Sequence, residues 1–410
     1  MSGKAVSLVL KAVVAILPIA LFASNAGAAT QKVLYNFGAS STDGEYPSSA
    51  LIFDKSGNLY GTTTNGGAED SSGGTVFELT PNGDGAWTET ILHSFGNSND
   101  GASPDFGLIF DASGDLWGTT NRGGSDNNYG TVFELKPAGG GRWTESVVFN
   151  FGGNNGANPS SGLISDKAGN FYGTTAYSIS TGDLTGKVFE VDAAGNETVL
   201  LDFDSTNYGT YPGPGLVFDQ AGNLYATTYN GGPDQDGTVF ELTPAGGGVW
   251  TLTQPHIFGH RGDGSNPYCN LIFDAAGNLY GTTQDGGAHV YGTVFELTPD
   301  GNGTWGETIL HSFHSDAKGG ARPNAGLVAD GKGNLYGTTV WGGAFDRGEV
   351  FMFTRNDKGV WTHTVLHDFG KGTDGSGPDA NLVLDAAGNL HGTTEDGGTY
   401  GYGTVFEIIP

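Results

Sequence analysis

Short hydrophobic segments alternate with clusters of Gly, Pro, Asn and Asp along almost the whole chain. The segments are rich in Val, Ile, Leu, Phe, Tyr and Thr, a composition that is typical of β-strands. No segment carries the 3.6-residue periodicity of a helix of useful length. The pattern therefore predicts an all-β protein built from short strands and tight turns.

The same pattern repeats seven times, with a Leu-x-x-Asp anchor at spacings of 53 to 57 residues. A complete unit reads P-x-x-x-L-I-F-D-x-x-G-N-L-Y-G-T-T, then a loop, then G-T-V-F-E-L-T-P, a glycine turn and W-T-E-T-I-L-H-S-F. Four segments of each unit have strand composition, so each unit predicts four antiparallel strands, named a, b, c and d in chain order. The anchor leucines are Leu51, Leu108, Leu163, Leu216, Leu271, Leu327 and Leu382.

Two of the joints within a unit are tight turns. Between strands a and b, residues 54–58 combine an Asp that can accept backbone N–H bonds with a Gly suited to positive φ. Between strands c and d, a Gly-rich segment such as residues 139–141 supplies the second turn. Alternate connections of a meander lie on one side, so both turns share a turn face. The longer d-to-a and b-to-c loops share the opposite side, the loop face.

A four-stranded unit cannot bury both of its faces alone. Seven such units therefore predict a seven-bladed β-propeller of four-stranded antiparallel blades. The last unit reaches Pro410 after its third strand, whereas the segment Lys32–Phe37 aligns with strand d. We expect this N-terminal strand to complete the seventh blade and close the ring, which also removes exposed strand edges. The predicted single domain covers residues 29–410, with units that start near residues 38, 96, 152, 204, 259, 314 and 370.

The first 28 residues have the composition of a secretory signal peptide. Lys4 and Lys11 precede an apolar run over residues 12–22, and residues 26–28 (A-G-A) supply the small side chains that a signal peptidase requires. The run is short for a membrane span, and no second such run follows. We therefore expect a cleaved signal peptide at residues 1–28 and a secreted or periplasmic mature chain without a membrane span.

The strand-c segments resemble those of a known family. Residues 74–79, 130–135, 237–242, 292–297 and 403–408, mostly G-T-V-F-E-L, each follow shortly after a G-T-T segment. This arrangement resembles the bacterial GloVer tandem repeat of the choice-of-anchor proteins, which are exported and differ in how they are tethered to the cell. The resemblance covers essentially the whole mature chain and implies an exported repeat protein. It implies no particular activity and no catalytic residues.

Composition and charge exclude several partners and cofactors. The 44 acidic and 17 basic residues give a net charge of −27, which argues against nucleic acids and anionic membrane surfaces as partners. The single cysteine, Cys269, excludes an internal disulfide and a Cys-built zinc or iron–sulfur site. The 73 glycines fit the many predicted turns. We expect the protein to be a monomer.

The repeats give an internal control for metal ligands, because a residue present in every unit is expected to belong to the scaffold. Asp54 and its six equivalents are therefore interpreted as turn caps, and the strand-d histidines, such as His93, as rim residues too far apart to share one ion. Residues 300–304 imitate the oxygen spacing of a calcium loop, but the equivalent Gly-rich turns carry no carboxylate. We expect no metal or other cofactor, and calcium at this turn is the alternative.

The loop face differs most between units, and variable loops on a rigid scaffold are where binding sites usually lie. Its aromatic side chains among Asn, Asp and Ser suit sugar rings, although aromatics also anchor protein interfaces. Units five and six concentrate basic and aromatic side chains there, which predicts an anion-tolerant or glycan-binding patch near the axis. The alternative is that its arginines pair with nearby acids for structure. The candidate ligand-binding residues are His260, Arg261, Tyr268, His289, Arg322, Trp341 and Arg347.

These observations favour an exported, non-enzymatic binding or scaffold propeller whose loop face binds a glycan or an extracellular protein. No nucleophile elbow, phosphate loop or dinucleotide fingerprint occurs, so no catalytic residue is predicted. The alternatives are a polysaccharide-active hydrolase or lyase, because propellers also host such enzymes, and a purely structural surface protein. An enzyme is expected to carry a clustered carboxylate pair with one raised pKa near the axial opening, whereas a binding module carries aromatics without such a pair.

Overall fold

The computed structural model describes residues 29–69, 72–83, 85–96, 99–125, 128–178, 185–203, 209–259, 262–314 and 319–410. Every regular element within these residues is a β-strand. Seven small antiparallel sheets form a ring, so the protein is a seven-bladed β-propeller, as the repeats predict. The predicted signal peptide and two candidate ligand-binding residues, His260 and Arg261, lie outside the described residues.

Each blade contains strands a to d in that spatial order, with antiparallel neighbours. Blade 1 consists of Ile52–Phe53, Leu59–Thr63, Thr75–Pro81 and Trp87–Ser94. Blade 2 consists of Ile109–Phe110, Leu116–Thr120, Thr131–Gly139 and Arg142–Asn150. Blade 3 consists of Ile164–Ser165, Phe171–Tyr177, Lys187–Val191 and Glu197–Asp202.

The remaining blades repeat the same order of strands. Blade 4 consists of Val217–Phe218, Leu224–Asn230, Thr238–Gly246 and Val249–Ile257. Blade 5 consists of Ile272–Phe273, Leu279–Thr283, Thr293–Pro299 and Trp305–Ser312. Blade 6 consists of Val328–Ala329, Leu335–Thr339, Glu349–Arg355 and Trp361–Asp368. Blade 7 consists of Val383–Leu384, Leu390–Thr394, Thr404–Ile409 and the N-terminal strand Thr30–Asn36.

Short ribbons join the d-to-a and b-to-c loops on the loop face. In blades 3 and 4 the d-to-a loop pairs directly with strand b, through Ala157–Pro159 and Thr210–Pro212. In three other blades the ribbons are separate two-residue pairs, which hold the bases of both loops by backbone hydrogen bonds. These pairs are Gly44–Glu45 with Asn65–Gly66, Gly264–Ser265 with Asp285–Gly286, and Gly320–Ala321 with Trp341–Gly342.

The N-terminal strand closes the ring, as predicted. It pairs antiparallel with strand c of blade 7, in a register that places Lys32 opposite Glu407 and Asn36 opposite Thr404. The Asn36 side chain also accepts a hydrogen bond from the Thr399 N–H over 2.7 Å. Blade 7 is therefore built from both ends of the described chain.

The a-to-b turn has the same local cause in each blade. In blade 1 the N–H groups of Ser56 and Asn58 both donate to Asp54 Oδ1 over 2.8 Å, and the Asn58 amide donates to Oδ2 over 2.9 Å. Gly57 has a φ of 88°, a conformation that favours glycine. Burial acts to raise the pKa of the equivalent Asp274, but the hydrogen bonds of its turn hold that pKa below its usual value. The recurring Asp is thus a turn cap.

One aromatic contact recurs at every junction between neighbouring blades. The Phe that follows strand d packs against the Phe of strand c in the next blade, as in Phe95 and Phe133, whose ring centroids lie 5.1 Å apart. All of these rings are almost completely buried, so the core of the protein lies between blades. The seven pairs are Phe37–Phe77, Phe95–Phe133, Phe151–Phe189, Phe203–Phe240, Phe258–Phe295, Phe313–Phe351 and Phe369–Phe406.

Each unit has a proline four residues before its anchor leucine, which we call the recurring proline. The residue before this proline has a positive φ and links two blades. Six of these seven residues are not glycine, and their φ values lie between 52° and 59°. In blade 2 the N–H of Ser103 donates to the carbonyl of Gly73 in blade 1 over 2.8 Å, and its own carbonyl accepts the N–H of Asn121 over 2.9 Å. At the closing junction the Tyr46 N–H donates to the carbonyl of Tyr402 over 3.0 Å. Bonds in two blades therefore hold a strained backbone that leads into strand a.

The closing junction is expected to contribute as much stability as an internal one. Phe37 and Phe95 are both fully buried against the same kind of neighbour, so Phe37→Ala and Phe95→Ala should each lower the free energy of unfolding by about 3–5 kcal/mol. Denaturant unfolding measures both values, with the exposed-site variant Thr30→Ala as the control. A cost below about 1 kcal/mol for Phe37→Ala, beside a full effect of Phe95→Ala, would contradict ring closure.

Candidate functional site

A pocket of about 420 Å³ lies on the axis of the ring, because all seven blades contribute to its lining. Most lining residues come from the segment between the recurring proline and strand a. We call this cavity the axial pocket. In five blades the residue directly after the proline lines it, and these residues are Ser48, Asp105, Tyr268, Asn324 and Asp379.

The axial pocket combines a repeated backbone with side chains that differ between blades. Asn270 and Asn381 lie two residues after the lining residues Tyr268 and Asp379. Thr64 and Glu395 line the pocket from the position directly after a G-T-T segment. Sequence reasoning missed all of these lining residues except Tyr268, because it followed aromatic and basic side chains. The signal was visible, since the residue after the recurring proline changes from unit to unit: Ser48, Asp105, Ser160, Gly213, Tyr268, Asn324 and Asp379.

Three carboxyl groups line the axial pocket, and each has a raised pKa. Burial raises the pKa of Asp105 to about 7, since attraction by Arg122 offsets it only in part and the charge of Glu395 adds to it. Burial raises the pKa of Asp379 to about 6, against a hydrogen bond from Asn324. Burial also raises the pKa of Glu395. Near neutral pH the axial pocket therefore holds both protonated and ionised carboxyl groups.

A chain of hydrogen bonds orients the polar side chains at one side of the axial pocket. The Tyr229 hydroxyl donates to Gln284 Oε1 over 2.9 Å, and Gln284 Nε2 donates to Asn324 Oδ1 over 2.6 Å. The Asn324 side chain also acts on Asp379, because its donor group lowers the pKa of that carboxyl group against the effect of burial. The Oδ1 atom of Asp379 is buried and has no hydrogen-bond partner among the described residues, so it can accept a bond from a ligand.

A second hollow, of about 250 Å³, lies between blades 5 and 6 on the loop face. Trp341 is 52% exposed there, which is unusual for so large an apolar side chain. Arg322 of this hollow lies two residues before Asn324 of the axial pocket, so the two cavities share one segment of chain. We call it the aromatic hollow, and its lining is Tyr291, Ala321, Arg322, Trp341 and Asp346.

Three of the predicted ligand-binding residues line these two cavities. Tyr268 belongs to the axial pocket, whereas Arg322 and Trp341 share the aromatic hollow. Arg322 Nε also lies 3.4 Å from Asp285 Oδ1, which is the structural pairing that the alternative interpretation anticipates. The Arg322 side chain remains about half exposed despite this pairing.

Two other predicted residues, His289 and Arg347, lie outside these linings. His289 contacts His314, with ring centroids 5.5 Å apart, and lies outside both linings. The Arg347 side chain packs against the backbone of Gly370. Residues 260–261 are outside the described part of the chain. The described residues of the predicted patch therefore lie at several separate positions and do not form one site.

Acidic clusters that could hold a metal ion coincide mostly with turn caps. Two such clusters are Asp385 with His391 and Glu407, and Asp111 with Asp115 and Glu134. Each contains the capping Asp of an a-to-b turn, whose Oδ1 accepts two backbone N–H bonds. The calcium-like turn is bonded in the same way, because Asp300 Oδ1 accepts the N–H groups of Asn302 and Thr304. These carboxylates thus have local partners.

A third cluster, His256 with Asp263 and Glu307, belongs to a network that recurs between blades. His256 Nε2 lies 3.4 Å from Asp263 Oδ2 and 3.6 Å from Glu307 Oε1. At each such junction a side chain of strand d meets an Asp of the following loop and a Glu on strand d of the next blade. The equivalent groups are Tyr35–Asp43–Glu89 and His93–Asp100–Glu145.

Burial and a neighbouring Asp charge act together on the Glu of this network. They raise the pKa of Glu89 and of Glu145 to about 7, and they raise the pKa of Glu307 as well. Tyr35 takes the place of His at one junction, and a neutral phenol is a poor metal ligand. We therefore interpret the network as a buried Glu that keeps its proton beside an Asp carboxylate.

A ring of seven four-stranded blades around a polar axial pocket defines the protein as a seven-bladed propeller with a central cavity. The sequence profile described as the Gloeobacter/Verrucomicrobia repeat matches residues 20–177, 72–259 and 251–410. The chain therefore belongs to this repeat family, which confirms the resemblance to the GloVer repeat. No protein with a curated description matches the chain. Within the described residues, no helix has the length and apolar character needed to cross a membrane.

Two solved structures are similar in fold. One is the extracellular domain of a one-component system from B. thetaiotaomicron, with a TM-score of 0.55 and 12% identity over 92% of this chain and 39% of that one. The other is PorZ, a surface component of the type-IX secretion system of Porphyromonas gingivalis, with a TM-score of 0.51 and 12% identity over 87% of this chain and 46% of that one. The chain thus spans less than half of each relative, and the likeness shows the fold alone.

The inter-blade acid pairs predict a loss of stability as the pH rises from about 4.5 to above 7. Glu89 and Glu145 keep their protons to about pH 7 in the folded protein, whereas the free side chain titrates near 4.5. Because the folded-state pKa is raised, this stability is fully present below about pH 4.5 and is lost as the pH rises through about 7. We expect the midpoint of thermal unfolding to fall as the pH rises from about 4.5 to 8 and to level off above that range.

Glutamine variants isolate this effect. Replacing Glu89, Glu145 and Glu307 together by Gln keeps hydrogen-bonding capacity and removes the ionisable groups, so the pH dependence should become flatter. The exposed Glu69→Gln variant is the matched control and should follow the unmodified protein. An equal pH dependence in the triple variant would show that titration of these pairs is not the cause.

Proposed function

We propose that this protein is an exported propeller that binds a carbohydrate at its loop face. One sugar unit would occupy the axial pocket, and a second would stack on Trp341 in the aromatic hollow. The observation that carries the proposal is the axial pocket, where side chains that differ between blades meet on a scaffold that repeats. Its volume of about 420 Å³ lies within the range of about 300–1,000 Å³ that small-molecule sites occupy.

The lining of the axial pocket suits a polyhydroxylated ligand. Asp379, Asn270 and Asn381 offer acceptors and donors that can bond neighbouring hydroxyl groups. Tyr268 and Phe106 add aromatic surface for the C–H face of a sugar ring. No Lys or Arg is among the described residues of the lining, whereas three carboxyl groups are. A neutral sugar unit therefore fits better than an anionic one.

The aromatic hollow offers a different kind of contact next to the axial pocket. The exposed Trp341 and the neighbouring Tyr291 provide flat apolar surfaces on which a sugar ring can stack. Arg322, which is half exposed beside Asp285, can donate hydrogen bonds from its guanidinium group. An oligosaccharide of two or more units would contact both cavities, and such a ligand gains affinity from each.

Export of the protein is proposed on the sequence. The first 28 residues have the pattern of a signal peptide, and the resemblance to the GloVer repeat proteins implies an exported protein. An exported protein meets polysaccharides outside the cytoplasm, which agrees with a carbohydrate ligand.

A second candidate function is hydrolysis of the bound carbohydrate. It is favoured by the raised pKa values of Asp105 and Asp379, which line the same pocket. A protonated carboxyl group can donate its proton to a glycosidic oxygen while an ionised one accepts a proton from the attacking water. An enzyme is expected to carry a clustered carboxylate pair with one raised pKa, whereas here the pKa values of both Asp105 and Asp379 are raised.

A glycan-binding array with the purified mature protein tests the proposal. We expect at least one neutral oligosaccharide to bind, and Trp341→Ala or Asp379→Asn to weaken that binding by about tenfold or more, a loss of about 1.4 kcal/mol. Val360→Ala, which changes an exposed apolar residue on the turn face, is the control and should leave binding unchanged.

The same samples separate the two candidate functions. Release of new reducing ends from a bound glycan, abolished by Asp105→Asn and Asp379→Asn, would assign hydrolysis to the axial pocket. Binding without release supports the binding function alone. Unchanged binding in both Trp341→Ala and Asp379→Asn would contradict the proposed site, and capture of a protein with no glycan bound would contradict the proposed ligand.

A further inference from the structure

On the turn face, an aromatic cluster of three side chains recurs between neighbouring blades. At the junction of blades 1 and 2, Phe110 lies edge-on to Tyr60 with ring centroids 5.2 Å apart, and Trp143 lies 6.4 Å from the same Tyr60. The Phe is the last residue of strand a, the Tyr lies on strand b of the preceding blade, and the Trp is the first or second residue of strand d. Equivalent clusters are His391–Phe53–Trp87, Tyr172–Phe218–Trp250 and Tyr225–Phe273–Trp305.

The junction of blades 5 and 6 has the frame of this cluster without its central ring. Tyr280 and Trp361 lie 6.2 Å apart, within the range of 6.0–6.5 Å found for the complete clusters. Ala329 stands where four other units have Phe, and the remaining two units have Ser165 and Leu384. Ala329 is exposed. A slot of about 310 Å³ is open at this place, and we call it the Ala329 slot.

Two further changes occur at the rim of the same slot. Lys332 lies in the a-to-b turn and Arg355 ends strand c, and both line the slot. Every other unit has Ser or Ala at the position of Lys332 and Pro or Ala at the position of Arg355. The absence of Phe and the presence of two cations thus coincide at a junction that keeps the Tyr and Trp of the cluster, in a chain that has only 17 bases.

Two acids also line the slot, so its four charged side chains sum to no net formal charge. Asp274 lines the slot, but its carboxylate accepts the N–H groups of Ala276 and Asn278 and the hydroxyl of Tyr280. Asp357 is the second acid of the lining. The Arg355 guanidinium is held over the Trp361 ring, 5.5 Å from its centroid, which places a cation at the edge of the slot.

We propose that the Ala329 slot binds a small aromatic carboxylic acid. The ring takes the place that Phe110 occupies at the equivalent junction, edge-on to Tyr280 and beside Trp361. The carboxylate lies between Lys332 and Arg355. The slot opens on the turn face, opposite to the axial pocket, so this inference is independent of the proposed carbohydrate function.

Phenylacetate is the probe that tests the slot, because it joins a phenyl ring to a carboxylate by one methylene group. Calorimetric titration of the purified mature protein should give a dissociation constant on the order of 0.1–1 mM, as expected for a small ligand in an open slot. Benzyl alcohol, which lacks the charge, and cyclohexylacetate, which lacks the aromatic ring, should both bind more weakly.

Two variants of the slot itself decide the proposal. Ala329→Phe restores the missing ring, so it should abolish phenylacetate binding and raise the midpoint of thermal unfolding. Lys332→Ala should weaken phenylacetate binding by about two- to fivefold and leave benzyl alcohol binding unchanged. Equal phenylacetate binding in Ala329→Phe and the unmodified protein, or no saturable binding up to about 10 mM, would overturn the proposal.

Phe110→Ala is the matched control, since it opens the equivalent slot between blades 1 and 2, where Ser113 and Pro137 replace the two cations. This second slot should take benzyl alcohol and phenylacetate equally well. A preference for phenylacetate there would show that Lys332 and Arg355 do not select the carboxylate. If Phe110→Ala does not fold, the comparison of Ala329→Phe with the unmodified protein still decides the outcome.

Discussion

The contact between phenylalanine rings of neighbouring blades is the constraint on which the rest of the structure depends. A blade of four short strands has little core of its own, so it gains most of its apolar burial when the Phe after strand d enters the next blade, as Phe95 does. Seven such contacts form a closed cycle only because Phe37 of the N-terminal strand reaches Phe77 of blade 1. Closure, rather than any single sheet, is therefore what makes the fold stable.

Closure also creates the candidate site. Each residue before a recurring proline, such as Ser103, is bonded to two blades and sets the path of the next residues toward the axis. This backbone repeats in every blade, so the side chains that follow can differ without disturbing the ring, and Asp105, Tyr268 and Asp379 meet in the axial pocket. Burial at the axis raises the pKa of both carboxyl groups. Burial between blades therefore determines stability and site chemistry together.

The fold was predictable because each of its structural features repeats as a local sequence pattern. Examples are the Asp54 turn cap and the strand-d pattern of Lys32–Phe37. The candidate site was less accessible, since each blade contributes single residues about 55 positions apart that meet only when the ring closes. Searching for aromatic and basic side chains identified Trp341 but not Asp105 or Asp379. The residues that follow the recurring proline differ between the seven units. Comparing the units at these positions identifies the candidate site, because it separates the repeated scaffold from the positions that vary.

The central claim is that the N-terminal strand returns to blade 7 and thereby completes both the ring and its axial pocket. Two rearranged chains test this claim most directly. One lacks residues 29–37, and the other carries them after residue 410 through a short Gly-Ser linker. Thermal unfolding should show one cooperative transition near that of the unmodified protein for the relocated strand, and loss of that transition for the truncated chain. An unchanged cooperative transition in the truncated chain would contradict the claim.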